Sequence, residues 1–323
     1  MEEISMKKIL VILSILILSV SILSAQGQKD GVYPAKPITI VVPYGAGGDT
    51  DLNARMLAQA LEKELNVPVI VQNMNGASGT IATAYVKDEA EADGYTVLFN
   101  HSNTLINYMT GLTDFTYTDF NVAGIAVSTA TSVWAVPPTS KYTSIQDVVK
   151  DAKNRPGKVV FPVLTAATTH MQALDFEKVT GTKLNIVDIG GTAEKLQAFL
   201  SGSIDILTAE YGSIQEHIKA GTMVPLGIFA DERNPLFPEV PTFKEQGVDV
   251  SQVKIFFFSF PKETPQERVT TFTQALERVV KSAEFKAKAD EYMTKPDYSN
   301  PADSLKRLAA HAQYFEQFKT SFK

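Results

Sequence analysis

The stretch VVPYGAGGDTDLNARMLAQAL, residues 41–61, holds the residue types best suited to bind a small anion. Three glycines lie between an apolar run and an amphipathic helical pattern. A glycine-rich turn at the start of a helix lets free backbone N–H groups approach a phosphate or a carboxylate, and the helix dipole favours negative charge there. The candidate ligand contacts in this turn are Tyr44, Gly45, Ala46, Gly47 and Gly48.

The same turn does not fit the nucleotide-binding motifs. A P-loop needs a lysine after its glycines, and none follows here. The GxGxxG pattern fails at its sixth position, Thr50, and the carboxylates of Asp49 and Asp51 would repel a phosphate. We therefore expect a small carboxylate or another polar ligand, and we expect Asp49, Thr50 or Asp51 to be the N-cap of the helix.

Five further loops follow predicted strands and carry small or hydroxyl-bearing residues. Their candidate contacts are Ser78, Gly79, Ser102, Asn103, Thr165, Thr168, Thr169, His170, Gly191, Thr192 and Glu210. None of the six loops contains lysine or arginine, so the ligand would be held by main-chain N–H groups, hydroxyls and helix dipoles. For any one loop, helix capping is a sufficient explanation, and the prediction depends on all six together. His170 could equally be a packed histidine, and Glu210 could accept a ligand hydroxyl, an amine or a water, or be solvated.

Apolar runs and helical spacing alternate along the chain after residue 30. Strands are predicted at residues 38–43, 67–72, 95–99, 122–127, 133–136, 158–164, 183–189, 204–209, 224–229 and 253–261. Helices are predicted at residues 52–65, 81–87, 145–154, 170–179, 193–200, 214–220, 266–281, 283–293 and 303–322. This order predicts an α/β protein with mostly parallel sheets flanked by helices. We expect Trp134 to pack in the core or at the hinge and not to form a ligand platform.

The pattern divides into two α/β units of similar order. The last three helical patterns have no strands of their own, so we expect them to return to the first sheet. The predicted lobes are residues 31–131 with 252–323, and residues 132–251, joined by two crossings near residues 130 and 252. Ligands of open parallel sheets bind at the carboxyl ends of the strands, which is where the six loops lie. We therefore expect a ligand between two lobes that close on it.

Composition excludes several classes of protein. The net charge of −6 argues against binding nucleic acid, and the absence of cysteine excludes disulfides and thiolate chemistry. The four histidines are scattered and form no HExxH pair, so neither a metal nor a cofactor is predicted. A secreted hydrolase that uses Ser78 or Ser102 as its nucleophile stays open, although neither serine lies in a GxSxG motif.

The first residues carry a targeting signal. Lys7 and Lys8 precede a run of apolar residues and serines from 9 to 23, and small residues follow. This pattern is typical of a secretory signal peptide, which we place at residues 1–25 with cleavage near Ala25 and Gln26. The alternative is a single N-terminal anchor helix. After cleavage, we expect the mature protein to work outside the cytoplasm, in the periplasm or its equivalent.

Taken together, these motifs resemble those of tripartite tricarboxylate transporter substrate-binding proteins, the Bug or TctC type. Residues 33–38 match the family's Tyr-Pro-x-Lys-Pro-Ile opening, and residues 42–51 match Val-Pro-(Phe/Tyr)-x-x-Gly-Gly-x-x-Asp. The Asn-x-x-Gly-Ala-x-Gly element lies at 73–79, and Asp-Gly-Tyr-Thr lies at 93–96. Residues 219–247 resemble the family's Lys-Ala-Gly … Pro-(Asp/Glu)-Val-Pro-Thr stretch. The similarity runs from about residue 33 to the end.

The resemblance implies a hinged, two-lobed periplasmic binding protein of type II, which we expect to be a monomer. Such proteins capture a small organic anion, often a di- or tricarboxylate, and deliver it to a membrane permease with a large and a small subunit. The family's first-lobe contacts correspond here to the turn from Tyr44 to Gly48, to Ser78 with Gly79, and to Ser102 with Asn103. A ligand-sensing domain that reports to a membrane receptor is the remaining alternative.

The second lobe departs from the family's Gly-x-Gly-(Ser/Thr)-x-x-His element. Aligned on the histidine, the segment LTAATTH places Leu164 and Ala166 at the glycines and Ala167 at the hydroxyl. A Cβ at Ala166 disfavours a positive φ angle. Asp188 and Ile189 stand where the family has tyrosine and a basic residue. These substitutions leave the identity of the ligand open.

Overall fold

The computed structural model describes residues 32–322. The chain divides into two compact units, Met1–Ala35 and Lys36–Lys323. In the first unit, residues 32–35 form no helix or strand, and the Tyr33–Pro34 peptide bond is cis. The predicted signal peptide lies outside the described residues.

The second unit alternates strands and helices. The strands are β1 (Ile38–Val42), β2 (Val69–Asn73), β3 (Thr96–His101), β4 (Phe120–Thr129), β5 (Ser132–Val136), β6 (Val160–Val163), β7 (Asn185–Asp188), β8 (Leu207–Glu210), β9 (Val224–Ile228), β10 (Lys254–Pro261) and β11 (Lys295–Ser299). The helices are α1 (Asp49–Leu65), α2 (Thr80–Asp88), α3 (Asn103–Thr110), α4 (Ile145–Asn154), α5 (Thr168–Thr180), α6 (Thr192–Leu200), α7 (Tyr211–Lys219), α8 (Gln266–Lys281), α9 (Ala283–Glu291) and α10 (Pro301–Glu316). Each predicted strand and helix is confirmed, with ends that shift by a few residues. None of the helices among residues 32–322 combines the length and apolar character needed to cross a bilayer.

A six-stranded sheet forms the part of the chain that we call the first lobe. Its strand order is β11-β4-β10-β3-β1-β2. β1 is parallel to both β2 and β3, and Val41 lies level with Gln72 and Leu98. The carboxyl ends of these three strands therefore meet at one edge of the sheet. That register brings the first three predicted ligand loops together.

Two smaller sheets form the part that we call the second lobe. β5 pairs antiparallel with β8 and β9, and β6 pairs parallel with β7. Trp134 of β5 is fully buried, with its ring centroid 4.4 Å from that of Phe161 and 4.7 Å from that of Phe176. Of the two expectations for this tryptophan, core or hinge packing, the structure shows core packing.

The sheets are mixed where the sequence predicted mostly parallel ones. In the first lobe, β10 runs antiparallel to both β3 and β4, and β11 runs antiparallel to β4. The reason lies in the connections between the lobes: β4 leads out of the first lobe and β10 leads back into it, so the two strands run in opposite directions side by side.

The C-terminal segment also contains a strand that the sequence did not reveal. β11 lies between α9 and α10 and pairs with β4 at the edge of the large sheet. Its sequence, KPDYS, is polar, which is why no apolar run indicated a strand. α8 and α10 pack on β4, so the expected return of the last helices to the first sheet is confirmed.

Candidate functional site

The glycine turn is fixed by a buried aspartate at the start of α1. Gly48 is the N-cap of this helix and has no side chain to offer, so the predicted N-cap at Asp49, Thr50 or Asp51 is wrong. Instead, the Asp51 carboxylate reaches back and accepts a hydrogen bond of 2.9 Å from the N–H of Gly47. Asp51 is the third residue of the helix, a position from which a carboxylate can reach a residue just outside the helix.

Asp51 also ties the turn to the neighbouring strand. Asn73 Nδ2 donates to Asp51 at 2.9 Å and to the Tyr44 carbonyl at 3.0 Å, and Arg55 Nε donates to Asp51 at 3.0 Å. Burial alone would raise the pKa of Asp51, but these donors and the Gly47 N–H outweigh it and lower the pKa. Asp51 and Asn73 thus hold the turn on its buried side, while Gly45, Ala46 and Gly47 stay exposed.

The second predicted loop packs directly against the first. Ser78 and Gly79 lie in a short 3₁₀ turn, Ala77–Gly79, with φ angles of 54° for Ser78 and 89° for Gly79. A Cβ on Gly79 would lie 3.1 Å from the Tyr44 hydroxyl oxygen, so only glycine fits without displacing the tyrosine. Asn107 of α3 donates to the Ser78 carbonyl at 3.0 Å and fixes this loop to the third one.

The third loop completes a continuous surface on the first lobe. The Tyr44 and His101 rings stack with centroids 4.8 Å apart, and Asn103 N–H donates to His101 Nδ1 at 3.3 Å. Ser102 is 1% exposed, and among the described residues its Oγ has no hydrogen-bond partner. The Thr50 hydroxyl, in the first turn of α1, is also buried without a partner in this part of the chain. Buried hydroxyls without partners are uncommon in folded proteins, and they are available to donate to a ligand oxygen.

The first loop of the second lobe faces this surface. Ser78 Oγ donates to the Thr165 carbonyl at 2.9 Å, and Thr168 N–H donates to Asn103 Oδ1 at 3.0 Å. Ala166 adopts a positive φ of 55° although it carries a Cβ, so this turn takes a conformation that favours glycine. The lobes therefore contact each other through the loops that the sequence singled out.

Two candidates in this loop serve its own conformation. Thr169 Oγ1 accepts the Leu164 N–H at 3.1 Å, and His170 Nδ1 accepts the Ala166 N–H at 3.4 Å. The His170 ring also packs edge-on against Phe322, with centroids 4.6 Å apart. Burial lowers the pKa of this histidine, which favours its neutral form. The alternative that His170 is a packed histidine therefore agrees with its surroundings.

Gly191 and Thr192 begin α6 beside the loop just described. Gly191 is the N-cap of the helix, and Ile189 N–H donates to the Val163 carbonyl at 2.9 Å, which keeps the ends of β6 and β7 together. Within residues 32–322, no hydrogen bond joins Gly191 or Thr192 to the first lobe. The structure thus joins three of the six loops by hydrogen bonds across the lobes, those at Ser78, at Asn103 and at residues 165–170, and leaves this one to the side.

A buried cluster of charges links the remaining loop, at Glu210, to the glycine turn. Lys254 Nζ lies 2.7 Å from Asp49 Oδ2 and 2.8 Å from Glu210 Oε1. Thr131 donates to the other Glu210 oxygen at 2.8 Å. Burial would lower the pKa of Lys254, but the two carboxylates outweigh it and raise the pKa. Burial would likewise raise the pKa of Asp49, but Lys254 reverses the effect and lowers it.

The sequence did not identify Lys254 as part of this region. Its only signal was a lysine inside the apolar run VKIFFFSFP, because β10 begins at this residue. Lysine within such a run indicates a buried partner, since an unpaired buried charge is costly. The partner could not be named from the sequence, because Asp49 lies 205 positions away.

A small cavity of about 130 Å³ adjoins the charge cluster. It lies between the lobes and is lined by polar residues that include Asp49, Asn53, Thr129 and Glu210. Asn53 Oδ1 and Thr129 Oγ1 are buried and lack hydrogen-bond partners in the described part of the chain. Within residues 32–322, no group of three or more His, Asp or Glu side chains is placed to hold a metal ion.

We expect the native chain to lose stability in acid faster than a His101→Gln variant. Burial lowers the pKa of His101 to about 3, the charge of Lys254 adds to this effect, and Asp49 opposes it. An unfolded histidine titrates near pH 6.5, so below that pH the unfolded chain binds a proton that the folded chain does not. The stability that neutral His101 confers is complete above pH 6.5 and falls by about 1.4 kcal/mol per pH unit as the pH drops toward 3.

Urea unfolding of both proteins at pH 7.5 and at pH 5 measures this effect. The difference in unfolding free energy between native chain and variant should change by about 2 kcal/mol between the two conditions. Loss of the stacking contact with Tyr44 lowers the unfolding free energy of the variant equally at both pH values, so it cancels from the comparison. The same difference at both pH values would show that His101 takes up a proton in the folded state.

Comparison with known proteins identifies the family. The chain matches the model of the Tripartite tricarboxylate transporter family receptor over residues 53–314. It is 32% identical to Protein BugT of Bordetella pertussis over 250 residues, and this aligned region covers 75% of each chain. The structure of R. palustris Rpa4515 with adipate is 25% identical, with a TM-score of 0.84 over 90% of this chain and 98% of that one. MatC (Rpa3494) from Rhodopseudomonas palustris with bound malate shares the fold, at 20% identity and a TM-score of 0.79 over 89% of this chain and 100% of that one.

These matches confirm the resemblance drawn from the motifs and the two-lobed α/β fold. They also give no support to the hydrolase alternative with a nucleophilic Ser78 or Ser102, since the family consists of substrate-binding proteins. The chain therefore belongs to the tripartite tricarboxylate transporter receptor family, whose members are periplasmic binding proteins and not enzymes.

Proposed function

We propose that this protein captures a small organic carboxylate between its two lobes and delivers it to a membrane permease of the tripartite tricarboxylate type. The observation that carries the proposal is the buried Ser102 hydroxyl, which has no partner among the described residues and directly follows His101, whose ring stacks on that of Tyr44. A carboxylate at this point would accept from the Ser102 hydroxyl and from backbone N–H groups at the start of α1. The adipate in the related R. palustris structure supports the ligand class.

The proposed lobes are residues 31–131 with 252–323, and residues 132–251. The boundaries agree with the end of β4 at Thr129 and the start of β5 at Ser132 on one crossing, and with the start of β10 at Lys254 on the other. We propose that the contacts of Ser78 with Thr165 and of Asn103 with Thr168 belong to the closed form. A ligand shifts the balance toward that form only by binding it more tightly than the open form.

Export, the permease and the monomeric state belong to the same proposal. A signal peptide at residues 1–25 would send the chain out of the cytoplasm, where a binding protein meets its ligand. We propose that the closed, loaded monomer is the form that the permease recognises. Deletion of the gene should abolish uptake of the acid that the purified protein binds; unchanged uptake with a lost transcriptional response to that acid would favour the sensor alternative.

Titration calorimetry with a panel of acids tests the binding proposal. Succinate, adipate and citrate sample di- and tricarboxylates, and the matching amides and methyl esters are the controls. We expect at least one acid to bind while its amide does not. Absence of binding by every acid in the panel would contradict the proposal.

A Ser102→Ala variant locates the site within the same experiment. Removing a hydrogen bond to a charged group costs about 1.5–3 kcal/mol, so the affinity for the acid should fall about 10- to 100-fold. Ser201→Ala, at the exposed end of α6, is the matched control and should bind as the native chain does. Equal affinities for all three proteins would place the ligand away from Ser102.

A further inference from the structure

Lys195 is a buried lysine that the site described above does not use. It is the fourth residue of α6, the helix that begins at the Gly191–Thr192 loop. Long side chains on helices point back toward the N-terminus, and Lys195 Nζ reaches the Thr208 hydroxyl of β8 at 2.9 Å. The residue is 2% exposed, which is rare for lysine unless it is paired.

No acid pairs with this lysine in the described part of the chain. Thr208 Oγ1 is the hydrogen-bond acceptor of Lys195 within residues 32–322, and no carboxylate there lies within 4.0 Å of its Nζ. An ammonium group carries three donors, so two are left for another acceptor. A buried cation without a counter-charge is costly, and a bound anion would remove that cost.

The lysine lies at the face of the second lobe that meets the first. Thr208 and Glu210 are two residues apart on β8, so their side chains share one face of the strand, and Glu210 binds Lys254 of the first lobe. The charges that act on Lys195 are those of Lys254, Asp49 and Glu210, together with Glu194 on its own helix. Asp49, one of the charges that act on Lys195, directly follows the glycine turn.

We propose that Lys195 binds the second carboxylate of a dicarboxylate whose first carboxylate lies at the glycine turn. This inference rests on the proposed function and makes it specific: the ligand has two acid groups, one held by main chain in the first lobe and one by this ammonium in the second. Bridging the two lobes in this way, a dicarboxylate would favour the closed form more than a monocarboxylate of the same length.

Proton uptake on binding is a consequence that can be measured. Burial lowers the pKa of Lys195 to about 7, the charge of Lys254 adds to this, and Asp49, Glu210 and Glu194 oppose it. A carboxylate next to the ammonium favours the charged form and raises this pKa. At pH 8 the free protein should therefore hold Lys195 mostly neutral, and the complex should hold it charged.

The test is calorimetry with adipate and hexanoate at pH 8, in two buffers of different ionisation enthalpy. The native chain should prefer adipate about 10- to 100-fold, since a hydrogen bond between charged groups is at stake, and should take up close to one proton per adipate. A Lys195→Met variant should lose both the preference and the proton uptake. Lys183→Met, which removes an exposed lysine of the same lobe, should keep both.

The outcomes separate the two proposals. Adipate binding without proton uptake, and with equal affinity in the native chain and Lys195→Met, would overturn the role of Lys195 and leave carboxylate capture standing. Failure of the native chain to bind any acid would overturn both. If the methionine variant does not fold, the preference of the native chain decides the inference, since equal affinities for adipate and hexanoate would contradict it.

Discussion

Replacing Lys254 with methionine will lower the free energy of unfolding by about 3–5 kcal/mol. Lys254 is bound by two carboxylates at 2.7 and 2.8 Å, and the three side chains are 11–19% exposed. Without the lysine, Asp49 and Glu210 would face each other across the lobes as buried, uncompensated charges. Removing one member of a buried ion cluster is more damaging than removing all of it, because the remaining charges keep their desolvation cost.

Urea unfolding at pH 7.5 measures this loss, and two controls identify its cause. A triple variant, Lys254→Met with Asp49→Asn and Glu210→Gln, should recover most of the lost stability, since no charge is then left unpaired. Lys63→Met breaks an ion pair with Glu284 in which the side chains are 70% and 78% exposed, and should change stability little. A triple variant as unstable as the single one would show that packing of the lysine stem, and not charge, is what the methionine disturbs.

A Gly48→Val variant will bind the carboxylate at least about 100-fold more weakly while keeping its fold. Gly48 has φ −77°, an angle open to any residue, and a Cβ there would lie 3.5 Å from the Gly45 carbonyl oxygen, an ordinary contact. The helix should lose only about 1 kcal/mol, because valine is a poorer N-cap than glycine. The branched side chain would instead stand over the backbone N–H groups of the first turn of α1, where the carboxylate is proposed to bind.

Calorimetry together with thermal unfolding separates the two effects of this substitution. Gly48→Ser is the matched control, because serine is a favourable N-cap and is smaller than valine. The serine variant should bind with an affinity between those of the valine variant and the native chain. A valine variant that unfolds normally and binds as tightly as the native chain would contradict the role of the glycine turn.

The sequence was sufficient to predict the elements that depend on local patterns. Apolar runs located the strands of both lobes, and the parallel register of β1 with its neighbours brings the first three loops together as expected. The glycine-rich turn and Ser78, Ser102 and Asn103 could be named as candidates because strand ends carry binding residues in open sheets. All of these signals lie within short stretches of chain.

Other features depend on partners distant in sequence and could not be read. The N-cap of α1 is one, because Asp51 turns back to Gly47 instead of capping, and Asn73, 22 positions along the chain, helps to hold it there. The strand β11 is another, since a polar edge strand has no apolar run and its pairing with β4 is visible only in the structure.

The buried lysines are the clearest case of this limit. Loops free of lysine and arginine predicted a site without cations, yet Lys254 and Lys195 enter the region from β10 and α6. Side chains of this length bring charge to a site from elements outside its loops. Their partners lie far along the chain or, for Lys195, in the ligand that we propose.

The most direct test of this account is a crystal structure with the dicarboxylate that binds most tightly in the calorimetric panel. We predict one carboxylate between the lobes, with oxygens within about 3.2 Å of main-chain N–H groups at the glycine turn and the start of α1. The other carboxylate should lie against Lys195. A ligand gripped by an arginine side chain, or bound far from the turn formed by Tyr44 to Gly48, would contradict the account.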